Sequence, residues 1–123
     1  MREPSSGGSE DVGSFLEAVG DGVVLVRVRG NLDGWAGSAE LAEALTTVAD
    51  RRGRRTVVDL SSVDFADSSG LHALLHGLRK HDSAGVPLVV AGPLSVQVRR
   101  LFEVTGTLGA FRFVNDVAAA ITE

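Results

Sequence analysis

The residues best suited to chemistry lie in one run, Asp64-Phe65-Ala66-Asp67-Ser68-Ser69-Gly70-Leu71-His72. It holds hydroxyls, carboxylates and an imidazole. Ser68 and His72 are four apart, one helical turn, with Asp64 and Asp67 near, the composition of a hydrolytic triad. The G-x-S-x-G elbow that would expose such a serine is absent, and a capping serine turns toward backbone N–H groups rather than toward a base. His72 and His76 form an i, i+4 pair, a spacing that can bind metal. No Glu follows His72 as H-E-x-x-H logic requires, so solvated or interface histidines are the better reading. The remaining chemistry is modification. A hydroxyl at a helix start, where free N–H groups and the helix dipole favour an anion, can carry a phosphate. The bland alternative is that Asp-Ser-Ser-Gly before an amphipathic helix is simply a good cap. The spacing does not choose between Ser68 and Ser69.

Composition narrows the rest. The chain has no cysteine, which excludes disulfides, thiolate chemistry and cysteine-based zinc sites and suits a reducing compartment. A net charge of -4 argues against nucleic acid or an anionic membrane as the main partner. No apolar run approaches the ~18 residues that span a bilayer, and the start, MREPSSGGSEDVGS, has no secretion signal. The expected location is the cytoplasm. Arg51, Arg52, Arg54 and Arg55 flank Gly53. Such a cluster can hold phosphate or steer an acidic partner, but ahead of a buried strand it reads as a solvated connection. No Walker-type phosphate loop is present, so no cofactor is expected.

The elements that must position the run follow from periodicity. Residues 1–13 are rich in Ser, Gly and Glu and read as a flexible tail; 14–123 form one domain. Residues 14–19 and 23–29, joined by Gly20-Asp21-Gly22, read as a β-hairpin that stops at Gly30. Leu41, Ala44, Leu45 and Val48 mark a helix over about 37–49, ended by Gly53. Residues 56–60 are a short apolar strand, and a loop then leads to a helix starting at Ser68, with Leu71, Leu74, Leu75 and Leu78 on one face. Residues 86–91 are a strand. Val98, Leu101, Phe102 and Thr105 give a helix stopped at Gly106, residues 111–114 an edge strand, and Asn115 caps a last helix over 116–121. This order predicts an α/β fold: a mixed sheet of about five strands with about four helices. The reactive run then lies beyond the carboxyl end of a central strand, where sites gather in parallel sheets.

The run Val57-Val58-Asp59-Leu60-Ser61 leading through Phe65 into Asp67-Ser68-Ser69-Gly70-Leu71 resembles the signature of the STAS domain family, in particular the bacterial anti-sigma factor antagonists. In that family a buried Phe precedes D-S-S/T-G-L. Gly30-Asn31-Leu32-Asp33 resembles the family's G-E-L-D element, and the stretch from Val98 to Gly106 resembles its V-x-R-L-F-x-x-T-G-L segment. The resemblance spans roughly residues 14–121. It implies a non-enzymatic partner switch. The unmodified form binds an anti-sigma factor that is also a serine/threonine kinase of the histidine-kinase-like ATPase fold, freeing a sigma factor. Phosphorylation, which the resemblance assigns to Ser68, ends that binding, and a serine phosphatase of the metal-dependent class reverses it. The partner surface it implies comprises Asn31, Asp33, Trp35, Asp67, Ser68, Ser69, Gly70 and His72. Asn31 departs from the acidic residue usual in G-E-L-D, and Gly34-Trp35-Ala36-Gly37 is an unusual helix start; Trp35 is either core or an exposed anchor. A second reading keeps the fold as a scaffold or ligand-sensing STAS module without a phosphorylation cycle.

Overall fold

A computed structural model of the chain describes residues 12–18, 21–32 and 34–122. The expected tail falls almost wholly outside them. The elements run β1 (Val12–Ala18), β2 (Val23–Leu32), α1 (Trp35–Asp50), β3 (Arg55–Ala66), α2 (Ser68–Ala84), β4 (Leu88–Ala91), α3 (Val96–Val104), β5 (Arg112–Val114) and α4 (Val117–Thr122). The strands lie in sequence order in one sheet, β1-β2-β3-β4-β5. β1 is antiparallel to β2 and every other pair is parallel, so the α/β expectation of five strands and four helices holds.

Alternation along the strands sorts their side chains into two layers. Val24, Val26, Val28, Val58, Leu60, Leu88 and Val90 face α1, α2 and α3, meeting Leu41, Leu45, Leu71, Leu74 and Phe102. Val23, Leu25, Val57 and Val89 point the other way, where α4 covers them through Ala120, Val117 and Ile121. Phe102 anchors the C-terminal end of the core, with Phe111 and Phe113 packed edge-on at 5.5 and 5.2 Å.

The strand ends differ from expectation in a way that builds the site. β2 does not stop at Gly30 but continues to Leu32, and β3 is not a five-residue strand followed by a loop but runs from Arg55 to Ala66. β4 stops pairing with β3 at Asp59↔Ala91, whereas β2 stays paired to Leu32↔Ala66. Beyond Leu60 the β2–β3 pair is therefore a ribbon with one open edge, where Ser61, Ser62 and Asp64 remain in water at no desolvation cost. Register shifts at Arg27/Arg29 and Gly30/Asn31 let Val63 and Ala66 both turn inward. Phe65, between them, points out and is 39% exposed, so the buried phenylalanine implied by the family pattern is not found here.

Two helix ends also differ. α1 ends at Asp50 with Arg51 as its C-cap, ahead of Gly53, where a Cβ would come within 2.6 Å of the Gly22 carbonyl oxygen. α4 is capped by Asp116 rather than Asn115, its carboxylate accepting the Ala119 N–H at 2.8 Å. The arginine cluster divides. Arg54 donates to the Asp21 carbonyl, Arg55 donates to the carbonyls of Ala120 and Ile121 at the end of α4, and Arg51 and Arg52 stay exposed.

His81, fully buried on α2, joins that helix to β3. The Gly77 carbonyl can only accept, so Nδ1 carries the proton and donates to it at 2.8 Å, and Nε2 accepts the Thr56 hydroxyl at 2.8 Å. Burial lowers the His81 pKa against smaller upward pulls from the Gly77 carbonyl and Asp82. Above about pH 6.5 the ring is neutral whether folded or unfolded; below it the unfolded chain takes up the proton before the folded one does, and stability falls by at most about 1.4 kcal/mol per pH unit. Urea unfolding at pH 7.5 and 5.5 should show the wild type losing about 1 kcal/mol more than His81→Gln between the two. Equal losses would refute the neutral buried ring.

Candidate functional site: the end of the β2–β3 ribbon

The ribbon delivers Asp67 to the start of α2. Its backbone N–H donates to the Leu32 carbonyl at 3.1 Å, extending the β2–β3 link by one residue, and its carbonyl accepts the first helical bond, from Leu71 N–H at 3.1 Å. Asp67 is in extended conformation and is the N-cap. Its Oδ1 accepts the N–H groups of Ser69 at 2.9 Å and Gly70 at 3.2 Å. The other oxygen, Oδ2, accepts the N–H of Gly34 at 3.2 Å, from the start of α1.

One carboxylate thus serves two helix N-termini. Gly34 is the N-cap of α1, at φ 75°, ψ 168°, and without a side chain offers no cap of its own. Its positive φ and the acceptor supplied by Asp67 account for the helix start at Gly34-Trp35 that looked unusual in the sequence. Burial raises the Asp67 pKa, but the N–H bonds from Gly34, Gly70 and Ser69 outweigh it and hold the carboxyl below its ordinary value. The group is therefore an anion at neutral pH.

This geometry corrects one expectation. The N–H groups of Ser69 and Gly70 are not free for an incoming anion, because Asp67 already occupies them. Ser68 is not a cap either: it is the first residue of the helix, exposed, with the capping carboxylate immediately before it. No hydrogen bond joins Ser68 to His72 among the described residues, and the Asp67 oxygens are engaged by backbone amides rather than by an imidazole.

The other expected residues separate into exposed and structural ones. Asn31 and His72 are exposed, and Ser69 is half-buried. Gly70 is buried: a Cβ there would lie 2.6 Å from the Leu32 carbonyl oxygen and 2.7 Å from its Cγ. Its place in the motif is explained by the close approach of α2 to the end of β2. Trp35 opens α1, but its side chain and the whole of Asp33 lie outside the described residues. His72 and His76 line a shallow groove between α1 and α2 with Ser38, Ala39, Ala42, Ser69 and Ala73. Among the described residues no group of three His, Cys, Asp or Glu side chains is placed to hold a metal ion. No described helix is long and apolar enough to cross a membrane.

Sequence reasoning missed Gly34 as a partner of Asp67, and it missed the exposed apolar surface made by Phe65, Leu101 and Val104. A glycine just before an uncapped helix was the available signal for the former. Phe65 gave none, since its direction depends on the register shifts of its own strand against β2.

The sequence model of a family described as "Mlab, STAS domain" matches residues 16–112. BtrV of Bordetella bronchiseptica, whose name assigns it to the anti-sigma factor antagonists, is 30% identical over 100 residues, covering 81% of this chain and 84% of that protein. The crystal structure of an anti-sigma factor antagonist from Mycobacterium paratuberculosis superimposes with a TM-score of 0.78 at 26% identity, covering 90% of this chain and 92% of that one. The phosphorylated form of the Bacillus cell fate determinant SpoIIAA has the same fold, with a TM-score of 0.69 at 20% identity over 89% of this chain and 97% of its own.

Proposed function

The chain belongs to the STAS domain family, and from that premise we propose that it is an anti-sigma factor antagonist that acts by partner switching, with Ser68 as the modified residue. The observation that carries this reading is the placement of Ser68. It is exposed on the first turn of α2, at the end of a ribbon that projects beyond β4, and one turn from exposed His72. Ser69, the alternative hydroxyl, is half-buried in the α1–α2 groove. A kinase active site reaches Ser68 without disturbing the fold.

The partner is an anti-sigma factor that is itself a serine/threonine kinase of the histidine-kinase-like ATPase fold. The γ-phosphoryl group of ATP passes to Ser68 Oγ, the hydroxyl proton leaves, and ADP is released. The added group brings about -1.5 to -2 charge. It stands next to the ionised Asp67 and inside the contact, so the complex separates and the kinase returns to its sigma factor. A metal-dependent serine phosphatase restores the hydroxyl. The chain itself binds and is modified; catalysis belongs to its partners, in the cytoplasm.

Incubation with the cognate kinase and ATP, followed by peptide mapping by mass spectrometry, tests the assignment. The expected product is a single phosphate on Ser68. Phosphate on Ser69 or elsewhere, with Ser68 unmodified, would overturn it.

A further inference from the structure

We infer that Asp67 couples the modification site to the start of α1, so that a phosphate on Ser68 is read at Gly34 as well as at its own position. This inference rests on the phosphorylation of Ser68 proposed above. The coupling is built from three bonds to one carboxylate. Oδ1 holds the Ser69 and Gly70 N–H groups of α2, and Oδ2 holds the Gly34 N–H of α1, 33 residues away in sequence. The Gly34 cap has no side-chain hydrogen bond of its own, so this oxygen is the acceptor that fixes the amide.

A phosphate on Ser68 brings a second, stronger anion to the first turn of α2. It has three acceptor oxygens, and the Ser69 and Gly70 amides of that turn are already held by Asp67. Two adjacent anions repel, and both cannot hold the same N–H groups. As the phosphate draws these amides, the carboxylate is displaced, and Oδ2 leaves Gly34 because both oxygens move as one rigid group. The amide of Gly34, the N-cap of α1, is then released. The switch therefore changes two adjoining segments of the proposed partner surface through one carboxylate.

Amide hydrogen exchange read residue by residue by NMR tests this, with phosphoserine installed at position 68 by encoded incorporation, so that no kinase is needed. Unmodified protein should protect the Gly34 amide, and Ser68→Ala should leave it unchanged. The phosphorylated protein should exchange Gly34 about tenfold faster or more, the scale of one lost hydrogen bond. Asp67→Asn should do the same by design: its carboxamide oxygen can still cap Ser69 and Gly70, while its NH2 faces the Gly34 N–H, donor against donor. Phosphorylated protein with Gly34 protected as in the unmodified form would overturn the coupling, and so would an unchanged Gly34 amide in Asp67→Asn. If Asp67→Asn does not fold, the phosphoserine arm decides alone. Failure of the function reading is distinguished by the binding assay: kinase partner that binds phosphorylated and unmodified protein equally refutes partner switching, whatever Gly34 does.

Discussion

Ser68→Asp is expected to weaken binding of the anti-sigma factor kinase by about a hundredfold or more, and Ser68→Ala by less than about threefold. A hundredfold corresponds to about 2.7 kcal/mol, within the cost of placing an uncompensated charge in a close interface. Alanine removes a small exposed hydroxyl and adds no charge. The folded state should tolerate both. α2 has no acidic residue in its first turn, and a carboxylate there interacts favourably with the helix dipole by about 0.3–1 kcal/mol, offset by repulsion from Asp67. Titration calorimetry for binding and urea unfolding for stability should therefore separate: Kd moves greatly for Ser68→Asp while stability shifts by less than about 1 kcal/mol. Equal affinity of Ser68→Asp and wild type would sink the switch and favour a STAS scaffold without a phosphorylation cycle.

Gly70→Ala should destabilise the fold by about 2 kcal/mol, lowering Tm by about 8 °C. Ordinary helix propensity points the other way, since alanine is favoured over glycine by about 1 kcal/mol. Geometry decides the sign. The new methyl would sit 2.6 Å from the Leu32 carbonyl oxygen and 2.7 Å from Leu32 Cγ, and neither is the free end of a flexible chain. Leu32 is itself buried, and its carbonyl accepts the Asp67 N–H. To make room, α2 must lift from the end of β2, which strains that bond and the cap above it. Partner binding should weaken even below Tm, because Ser68 moves with the helix start. Thermal unfolding measures the first effect and calorimetry at 15 °C the second. A variant as stable as wild type would show that the contact yields more easily than its distances require.

His81 behaves differently from these sites because its contribution depends on pH rather than on contact with a partner. It lies toward the C-terminal end of α2, away from Ser68, and ties that helix to β3 through Thr56. Loss of stability on acidification and loss of partner binding on modification should therefore be independent properties, separable in His81→Gln and Ser68→Asp.

The local chemistry of the chain determined much of the outcome. The leucine spacing of α2, the hairpin followed by alternating helices and strands, and the start of α2 at Ser68 all rest on periods and caps that act over a few residues, so they could be read without the fold. The Asp-Ser-Ser-Gly run at that helix start was legible for the same reason; that Ser68 is the exposed hydroxyl was not. Tertiary structure decided what depends on partners far along the chain. Residues 61–66, a mixed polar and apolar stretch, became strand because β2 stays paired there after β4 has ended. Phe65 turned outward because β3 carries an extra residue at each register shift against β2, which changed which of its side chains point inward. Asp67 rather than Ser68 became the cap, and Gly34 became its third donor, because β2 and β3 bring two helix starts within reach of one carboxylate. A hydrogen bond across 33 residues leaves no periodic trace. It follows from strand register, which is set by the packing of the whole sheet.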